Sequence, residues 1–343
     1  MKPMRLRTHA LALRLIIAAL AIGVVPCEAQ VVPPAPPASP RQPRAPRSPR
    51  AWFGNSDNGG AGGMARIDTL VPFSANGTVE LSLIAGSMKL STWDRNQVRV
   101  VATTTGQPSL QFDASNSHVT LEQSSSGRHF GRDGDDVGSA TYEVTVPAGS
   151  RATLSAVSGS IDASGLHGSV DVSNVSGAVD VRDLGSSLNV EGVSGSITAE
   201  NIGNDAHIEN VSGRVSLTGV GGSASAETVS GSILVAGVRG DRVHATSVSG
   251  NIDFAGPVIS SGRYEFETHS GRAALKLGSN ANAAISVETF SGSVTNDYAG
   301  AVRRRNFDPD DDRTNFDYVI GRGEGRVRVE TFSGSVHVFQ GNP

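Results

Sequence analysis

Apolar and polar residues alternate through much of the chain, and a Ser-Gly pair interrupts the alternation at regular intervals. The pairs begin at Ser158, Ser176, Ser194, Ser212, Ser230, Ser249, Ser270, Ser291 and Ser333. The differences between successive numbers are 18, 18, 18, 18, 19, 21, 21 and 42, and the last predicts two coils of 21, one of them degenerate. Each copy holds two short stretches with the period of a β-strand, separated by glycine-containing turns, and no helical period is present. A short repeat of this kind predicts a β-solenoid.

Two columns of residues stay apolar when the copies are aligned on the Ser-Gly pair, and we expect both to face inward. One column is Ile161, Val179, Ile197, Val215, Ile233 and Ile252, and the other is Val172, Val190, Ile208, Ala226, Ala245 and Phe266. A single copy cannot bury such a stripe, but coils stacked about 4.8 Å apart bury a thin continuous core and pair their backbones. The corners need small residues because the backbone bends there, at Gly159, Gly177, Gly195, Gly213, Gly231, Gly250, Gly271, Gly292 and Gly334. The prediction is an all-β, single-stranded right-handed parallel β-helix with coils of about 18–21 residues.

The two ends of the repeat region are less regular. Residues 64–150 are predicted to be β-rich, with strands at Thr78–Leu83, Ser87–Leu90, Gln97–Val101 and Thr141–Val146, and with Ala85-Gly86-Ser87 as a diverged first corner. Towards the C-terminus larger residues replace Val, Ile and Ala, and we expect them to fill a wider tube and to cap it. These predicted inner residues are Phe254, Tyr264, Phe266, Leu275, Phe290, Phe332 and Phe339.

The N-terminal part of the chain, residues 1–63, has a different composition. Residues 1–29 have the basic start, the short apolar run Leu15–Val25 and the small residues before a cut after Ala29 that are typical of a secretory signal peptide. That run is too short to span a bilayer, and no later segment is predicted to cross a membrane. Cleavage after Ala29 would remove the single cysteine, Cys27, and leave the mature chain with neither disulfide nor thiol nucleophile. Acylation of Cys27 as a lipoprotein is the alternative, and Pro26 directly before it disfavours this. Residues 30–63, rich in Pro and Arg and then in Gly, predict an extended disordered linker.

These observations predict four regions: the signal peptide 1–29, the linker 30–63, the irregular part 64–150 and the regular solenoid 151–340 with an insertion loop near 300–316. The chain is therefore expected to be exported, to the periplasm or to the cell surface.

Several segments resemble a known family. They are Leu81–Val100 with Gly86, Trp93-Asp94 and a Val-Arg-Val strand, Tyr142–Gly149, the repeated Val-Ser-Gly, and Gly325–Val336. Together they resemble the bacterial putative-adhesin family of unknown function with β-strand repeats, which is related to head-GIN-type β-helix domains. The resemblance covers about residues 65–340. It implies an exported β-helix in the cell envelope, with adhesion as a suggested role and with no catalytic residues to carry over.

Two acidic sets are candidate Ca²⁺ sites, because Ca²⁺ prefers oxygen ligands. The first is an outward column of Glu191, Glu209, Glu227, Glu267, Glu288 and Glu330, interrupted by Thr246. The second is Asp308, Asp310, Asp311 and Asp312, which follow three arginines; Asp133, Asp135 and Asp136 form a similar set. Solvated carboxylates that bind no ion are the favoured explanation of these sets, and no other cofactor is expected.

An enzyme is the main alternative, since polysaccharide lyases and hydrolases also use β-helices. The outward column of Asp171, Asn189, His207, Ser225, His244 and Glu265 brings histidines and acids together, but the residue type changes at every coil. His207 and His244 are expected to be two coils, about 10 Å, apart, too far to act as a pair. Nucleic-acid binding is disfavoured by the net charge of -4 and the scattered basic residues.

The sequence therefore favours a non-catalytic envelope or surface binding module that uses the flat faces of a solenoid. An envelope glycan or a protein surface is the expected partner, and the oligomeric state stays open. A structural spacer or envelope-stress accessory without its own ligand is one alternative, and a β-helix polysaccharide lyase or hydrolase is the other.

Overall fold

The computed structural model describes residues 51–52, 65–105, 109–124, 138–298, 301–304 and 314–341. The predicted signal peptide, nearly all of the linker, the Asp133–Asp136 segment and the Asp308–Asp312 segment lie outside these residues. All regular secondary structure that the structure describes is β-strand, joined into one hydrogen-bonded sheet. The strands are β1 (Ala51–Trp52), β2 (Ala65–Pro72), β3 (Thr78–Trp93), β4 (Gln97–Thr104), β5 (Ser109–Ala114), β6 (His118–Ser124), β7 (Ala140–Pro147), β8 (Arg151–Ser164), β9 (Val170–Ser176), β10 (Val179–Leu184), β11 (Leu188–Ser194), β12 (Ile197–Ile202), β13 (Ala206–Val220), β14 (Ala224–Ala236), β15 (Arg242–Ser249), β16 (Ile252–Gly256), β17 (Arg263–Leu277), β18 (Ala283–Asn296), β19 (Val302–Arg304), β20 (Thr314–Ile320) and β21 (Gly325–Gln340).

The middle of the molecule is a parallel solenoid. Each strand pairs in parallel with the equivalent strand one coil away, as Val179 does with Ile161 on one side and Ile197 on the other. The predicted all-β parallel solenoid is therefore confirmed, while its right-handed coiling stays a prediction. We call each turn of the chain a rung, the part before the Ser-Gly corner its first wall and the part after the corner its second wall.

The core lies between the two walls. In β13 the inward residues are Ala206, Ile208 and Asn210 in the first wall and Val215 and Leu217 in the second. Between Asn210 and Val215 four residues in a row face away from the core, and this break in the alternation is the corner. Every member of both apolar columns predicted from the sequence is at most 2% exposed.

The corner glycines are restricted by the neighbouring rung. Gly195 has a φ of 137°, and a Cβ atom there would lie 1.9 Å from the carbonyl oxygen of Gly177. Gly231 has no left-handed φ, yet its Cβ atom would lie 1.8 Å from the carbonyl oxygen of Gly213. The close stacking of the rungs therefore excludes a side chain, whether or not the backbone conformation would allow one.

The N-terminal end does not follow sequence order. β3 pairs in parallel with β8, and Gly86 lies opposite Gly159, so Ala85–Ser87 is a corner as predicted. On its other side β3 pairs in parallel with β6 and β7, which together form the next rung outward. Antiparallel strands complete this end: β4 and β5 lie against β7 and β6, followed by β2 and β1.

The C-terminal end corrects one prediction. β21 lies between β17 and β18, with Ser333 opposite both Ser270 and Ser291. β20 pairs antiparallel with the outer edge of β18, and β19 pairs with β20. The long interval between the last two Ser-Gly pairs is therefore not two coils with a degenerate copy: the chain returns antiparallel and then enters between two earlier rungs. Sequence spacing counts residues between corners, and it does not specify the order of rungs in space.

The aromatic residues near this end divide into two groups. Phe254, Tyr264 and Phe266 are buried as predicted, with ring centroids 5.2 and 5.6 Å apart, and Leu275 is also buried. The prediction of inner positions is wrong for Phe290, Phe332 and Phe339. Phe290 and Phe332 immediately precede the corner, where side chains point outward, and are 53% and 49% exposed. Phe339 directly follows the buried Val338, so its side chain lies at an outward position of the alternation.

Candidate binding face

The outer surface of the first wall carries three parallel columns of side chains, one residue of each column per rung, and we call this surface the ladder face. The polar column is Thr153, Asp171, Asn189, His207, Ser225, His244, Glu265, Arg328 and Ser286. The glutamate column is Glu191, Glu209, Glu227, Thr246, Glu267, Glu330 and Glu288. The apolar ridge is Ile84, Val157, Val175, Val193, Val211, Val229, Val248, His269, Phe332 and Phe290, each directly before a corner.

The glutamate column runs along the rungs in an order that differs from the sequence. Because β21 enters between β17 and β18, Glu330 lies between Glu267 and Glu288. Arg328 partly compensates the charge, since it lies 3.2 Å from a carboxylate oxygen of Glu288 and 2.5 Å from one of Glu330. His207 Nε2 lies 2.9 Å from Glu209 Oε1.

The polar column borders two shallow grooves on the ladder face. One has a volume of about 520 Å³ and is lined by residues that include Asp171, Asn189, His207, Ser225 and His244. The other, of about 510 Å³, is lined by Glu265, Ser286 and Arg328 among others. Both linings combine Ser, Asn, His or charged side chains with apolar surface, so the grooves offer hydrogen-bonding groups and apolar contacts to a partner.

The polar column offers no paired histidines for acid–base chemistry. His207 lies opposite Ser225, which lies opposite His244, so two steps of about 4.8 Å separate the histidines. His244 instead lies 3.1 Å from Thr246 Oγ1 and 3.8 Å from a Glu265 carboxylate oxygen. General acid–base partners must come within hydrogen-bonding reach of one substrate, and these residues are spread along the face.

The Ca²⁺ sites stay a prediction. Among the residues that the structure describes, no three His, Cys, Asp or Glu side chains come together closely enough to hold a metal ion. The glutamate column supplies one carboxylate per rung along a line. The other candidates, Asp308, Asp310, Asp311 and Asp312, fall outside the described residues.

Sequence reasoning missed the apolar ridge. The sequence predicts its phenylalanines as core residues and indicates no separate role for its valines. The rings of His269, Phe332 and Phe290 stack nearly parallel on adjacent rungs, with centroids 4.7 and 4.9 Å apart. The available signal was an apolar or aromatic residue before every Ser-Gly pair, outside the two inward columns.

The fold and this face define a class of protein: a parallel β-solenoid that presents an uninterrupted laddered surface. Within that class the chain belongs to the Toastrack DUF4097 family, whose model matches residues 76–339. This confirms the family resemblance seen in the sequence. In the part of the chain that the structure describes, no helix is long and apolar enough to span a membrane.

Two solved structures share a distant similarity with the chain. A putative cell adhesion protein from Clostridium sporogenes is 12% identical, with 82% of this chain and 100% of that chain covered and a TM-score of 0.26. A putative adhesin from Bacteroides fragilis is 11% identical, with 80% and 97% covered and a TM-score of 0.34. Similarities at this level carry no argument about function. No curated protein matches the chain.

Proposed function

We propose that this chain is a non-catalytic, exported binding module of the cell envelope or surface, and that the ladder face is its contact surface. The observation that carries the proposal is the apolar ridge. Single exposed apolar side chains are ordinary on soluble proteins, but a contiguous exposed row marks an interaction surface. Here Val157, Val175, Val193 and Val211 are 37–45% exposed on successive rungs. The row continues through the half-buried Val229 and Val248 and through His269 to the exposed Phe332 and Phe290.

The repetition of the face supports this role. Most rungs from Glu191 onward present a polar, an acidic and an apolar side chain, so a long partner is contacted many times by weak, similar interactions. Envelope glycans and protein surfaces both offer partners of this extended kind. The composition of residues 1–29 supports export to the periplasm or the cell surface. The proposal includes the division into a signal peptide (1–29), a linker (30–63), an irregular part (64–150) and a regular solenoid (151–340).

Binding to envelope fractions tests the proposal. The chain without its predicted signal peptide is incubated with cell-envelope fractions, isolated glycans and envelope protein, and bound protein is measured. The double variant Val193→Ser, Val211→Ser is expected to lose about tenfold in affinity, because it removes two adjacent apolar contacts. Leu234→Ser is the matched control, since Leu234 is as exposed as Val211, at 38%, but lies on the second wall.

Two results would overturn the proposal. A folded chain that binds none of these preparations would favour the spacer or accessory role. Turnover of acidic polysaccharides by the purified chain would favour a lyase or hydrolase.

A further inference from the structure

The linker carries a three-residue repeat of proline and arginine. Residues 40–50 read Pro-Arg-Gln-Pro-Arg-Ala-Pro-Arg-Ser-Pro-Arg, so proline and arginine each recur at every third position. A polyproline II helix has three residues per turn and rises about 3.1 Å per residue. In that conformation the sequence would present its arginines as one stripe, about 9.3 Å apart, and its prolines as another.

The glutamate column has a matching spacing. Successive rungs lie about 4.8 Å apart, so every second rung is about 9.6 Å away. Starting from Glu191, every second member is again a glutamate: Glu227, Glu267 and Glu288. The single threonine of the column, Thr246, falls on a skipped rung. Four arginines therefore match four glutamates, the last of which already lies 3.2 Å from Arg328, with a mismatch of about 1 Å over the whole length, well within the reach of an arginine side chain.

The apolar ridge lies beside the same column. Val193 follows Glu191 by two residues and Phe290 follows Glu288 by two, so ridge and column are about 7 Å apart on the same face. An extended segment lying between them would place arginines on carboxylates and prolines on the ridge. Its aromatic end, His269, Phe332 and Phe290, resembles in chemistry the aromatic grooves that receive proline-rich segments.

From this double match we infer that the ladder face binds a polyproline-type segment with an arginine at every third position, and that residues 40–50 of a second copy of this chain are its occupant. The inference rests on the proposed function of the ladder face as a contact surface. It names the chemistry of one partner and predicts association of copies through linker and face.

Chain length favours a second copy over the same copy. Ala51 pairs with Phe112 of β5, and six strand-to-strand steps lead from β1 through β5, β6, β3, β8 and β9 to β11, where Glu191 lies. Six steps are about 29 Å, and the nine residue steps from Arg41 to Arg50 would span about 28 Å in polyproline II geometry. A molecule's own arginines would therefore reach Glu191 at most, leaving Glu227, Glu267 and Glu288 for another copy.

The first measurement uses the segment as a probe. A fluorescent peptide of residues 40–50 is titrated with the full chain, and anisotropy is followed at about 20 and about 300 mM salt. We expect saturable binding at low salt that weakens at high salt. A control peptide of the same composition with its four arginines adjacent should bind about tenfold more weakly, because only one or two of them can meet the spaced carboxylates.

Variants locate the binding surface. Glu191→Gln, Glu227→Gln and Glu267→Gln together should weaken peptide binding about tenfold or more. The control is the triple variant Asp162→Asn, Glu200→Gln and Asp253→Asn, which removes the same charge from the outer surface of the second wall. It should change the affinity for the peptide less than twofold. Circular dichroism checks that both variants keep the β-fold.

Sedimentation velocity of the full chain tests the second copy. Association should increase with protein concentration and decrease with salt, and replacing Arg41, Arg44, Arg47 and Arg50 by glutamine should abolish it. Equal binding of both peptides would overturn the register match, and a chain that stays monomeric above the peptide dissociation constant would overturn the second copy as occupant. If the chain binds envelope preparations but not the peptide, this inference alone is overturned. If the chain binds neither the peptide nor the envelope preparations, the proposed function is overturned as well.

Discussion

Residue identity at the corners is set by contact between rungs. The carbonyl oxygen of one corner glycine occupies the space in which the next would place a Cβ atom. A second position shows the opposite case: residues 165, 183, 201, 219 and 237 all have a left-handed φ, and two of them, Asp183 and Asn201, are not glycine. Asp and Asn tolerate this conformation, and Asn201 Nδ2 donates a hydrogen bond to Asp183 Oδ1 at 2.9 Å. The two kinds of turn therefore differ in whether the neighbouring rung leaves room for a Cβ atom, and not only in φ.

Replacing a corner glycine tests this explanation. Gly195→Ala should lower the free energy of unfolding by about 2 kcal/mol or more, since it combines a left-handed φ with a backbone clash. Gly278→Ala is the control, because Gly278 has no atom within 4 Å of the added carbon. Urea denaturation of both variants measures the difference, and equal stability of the two would contradict the stacking argument.

A carboxylate on the second wall gives a pH-dependent prediction. Burial raises the pKa of Asp180, neighbouring Asp162 and Glu200 add to the rise, and Arg182 opposes it. An acid whose pKa is raised by folding binds its proton more tightly in the folded state, so its contribution to stability is lost as pH rises through that pKa. The free energy of unfolding of Asp180→Asn, relative to that of the unmodified chain, should therefore rise between about pH 4 and about pH 7. Urea denaturation of both proteins at the two pH values measures this difference. A relative loss over this interval would contradict the assignment.

At the scale of whole strands, the C-terminal strand is an interior element. β21 pairs along its length with β17 on one side and β18 on the other, while β19 and β20 form the outer edge. Strands at an open edge are a liability for aggregation, and a short antiparallel return covers the edge of β18. The last strand of the described chain thus holds the preceding rungs together.

Hydrogen exchange distinguishes an interior strand from an edge strand. Backbone amides of β21 should exchange as slowly as those of β17, although β21 is the last strand, because both are hydrogen-bonded on two sides. Peptides from β19 and β20 should exchange faster and serve as the internal reference. If β21 exchanges at the rate of β19, the observed insertion is wrong.

For the molecule as a whole, stability is distributed along one dimension. Each central rung contacts mainly the rungs before and after it, so a whole rung is a removable unit. The register is kept only if the removed length equals one local repeat, such as the step from Leu188 to its pairing partner Ala206. A change of one residue would turn every following side chain to the opposite face.

Deleting one rung tests this modularity. Removing residues 188–205 joins Ser187 to Ala206 in the position that Leu188 held, and should leave a folded solenoid that is about 4.8 Å shorter by small-angle scattering. Removing residues 188–204 should abolish cooperative thermal unfolding, since the register slips by one residue. Similar melting of both deletions would show that the rungs are not in strict register.

The sequence by itself determined the solenoid, its corners and its inward columns, because a short repeat with alternating polarity has one way to bury its apolar stripe: against copies of itself. Only the tertiary structure decided which copies are neighbours. β3 meets β8 across an excursion of four strands, and β21 enters between β17 and β18, because strand pairing joins compatible edges regardless of their distance along the chain. The ladder face depends on that choice. Phe332 stacks between His269 and Phe290, and Glu330 lies between Glu267 and Glu288, because β21 enters between these two rungs.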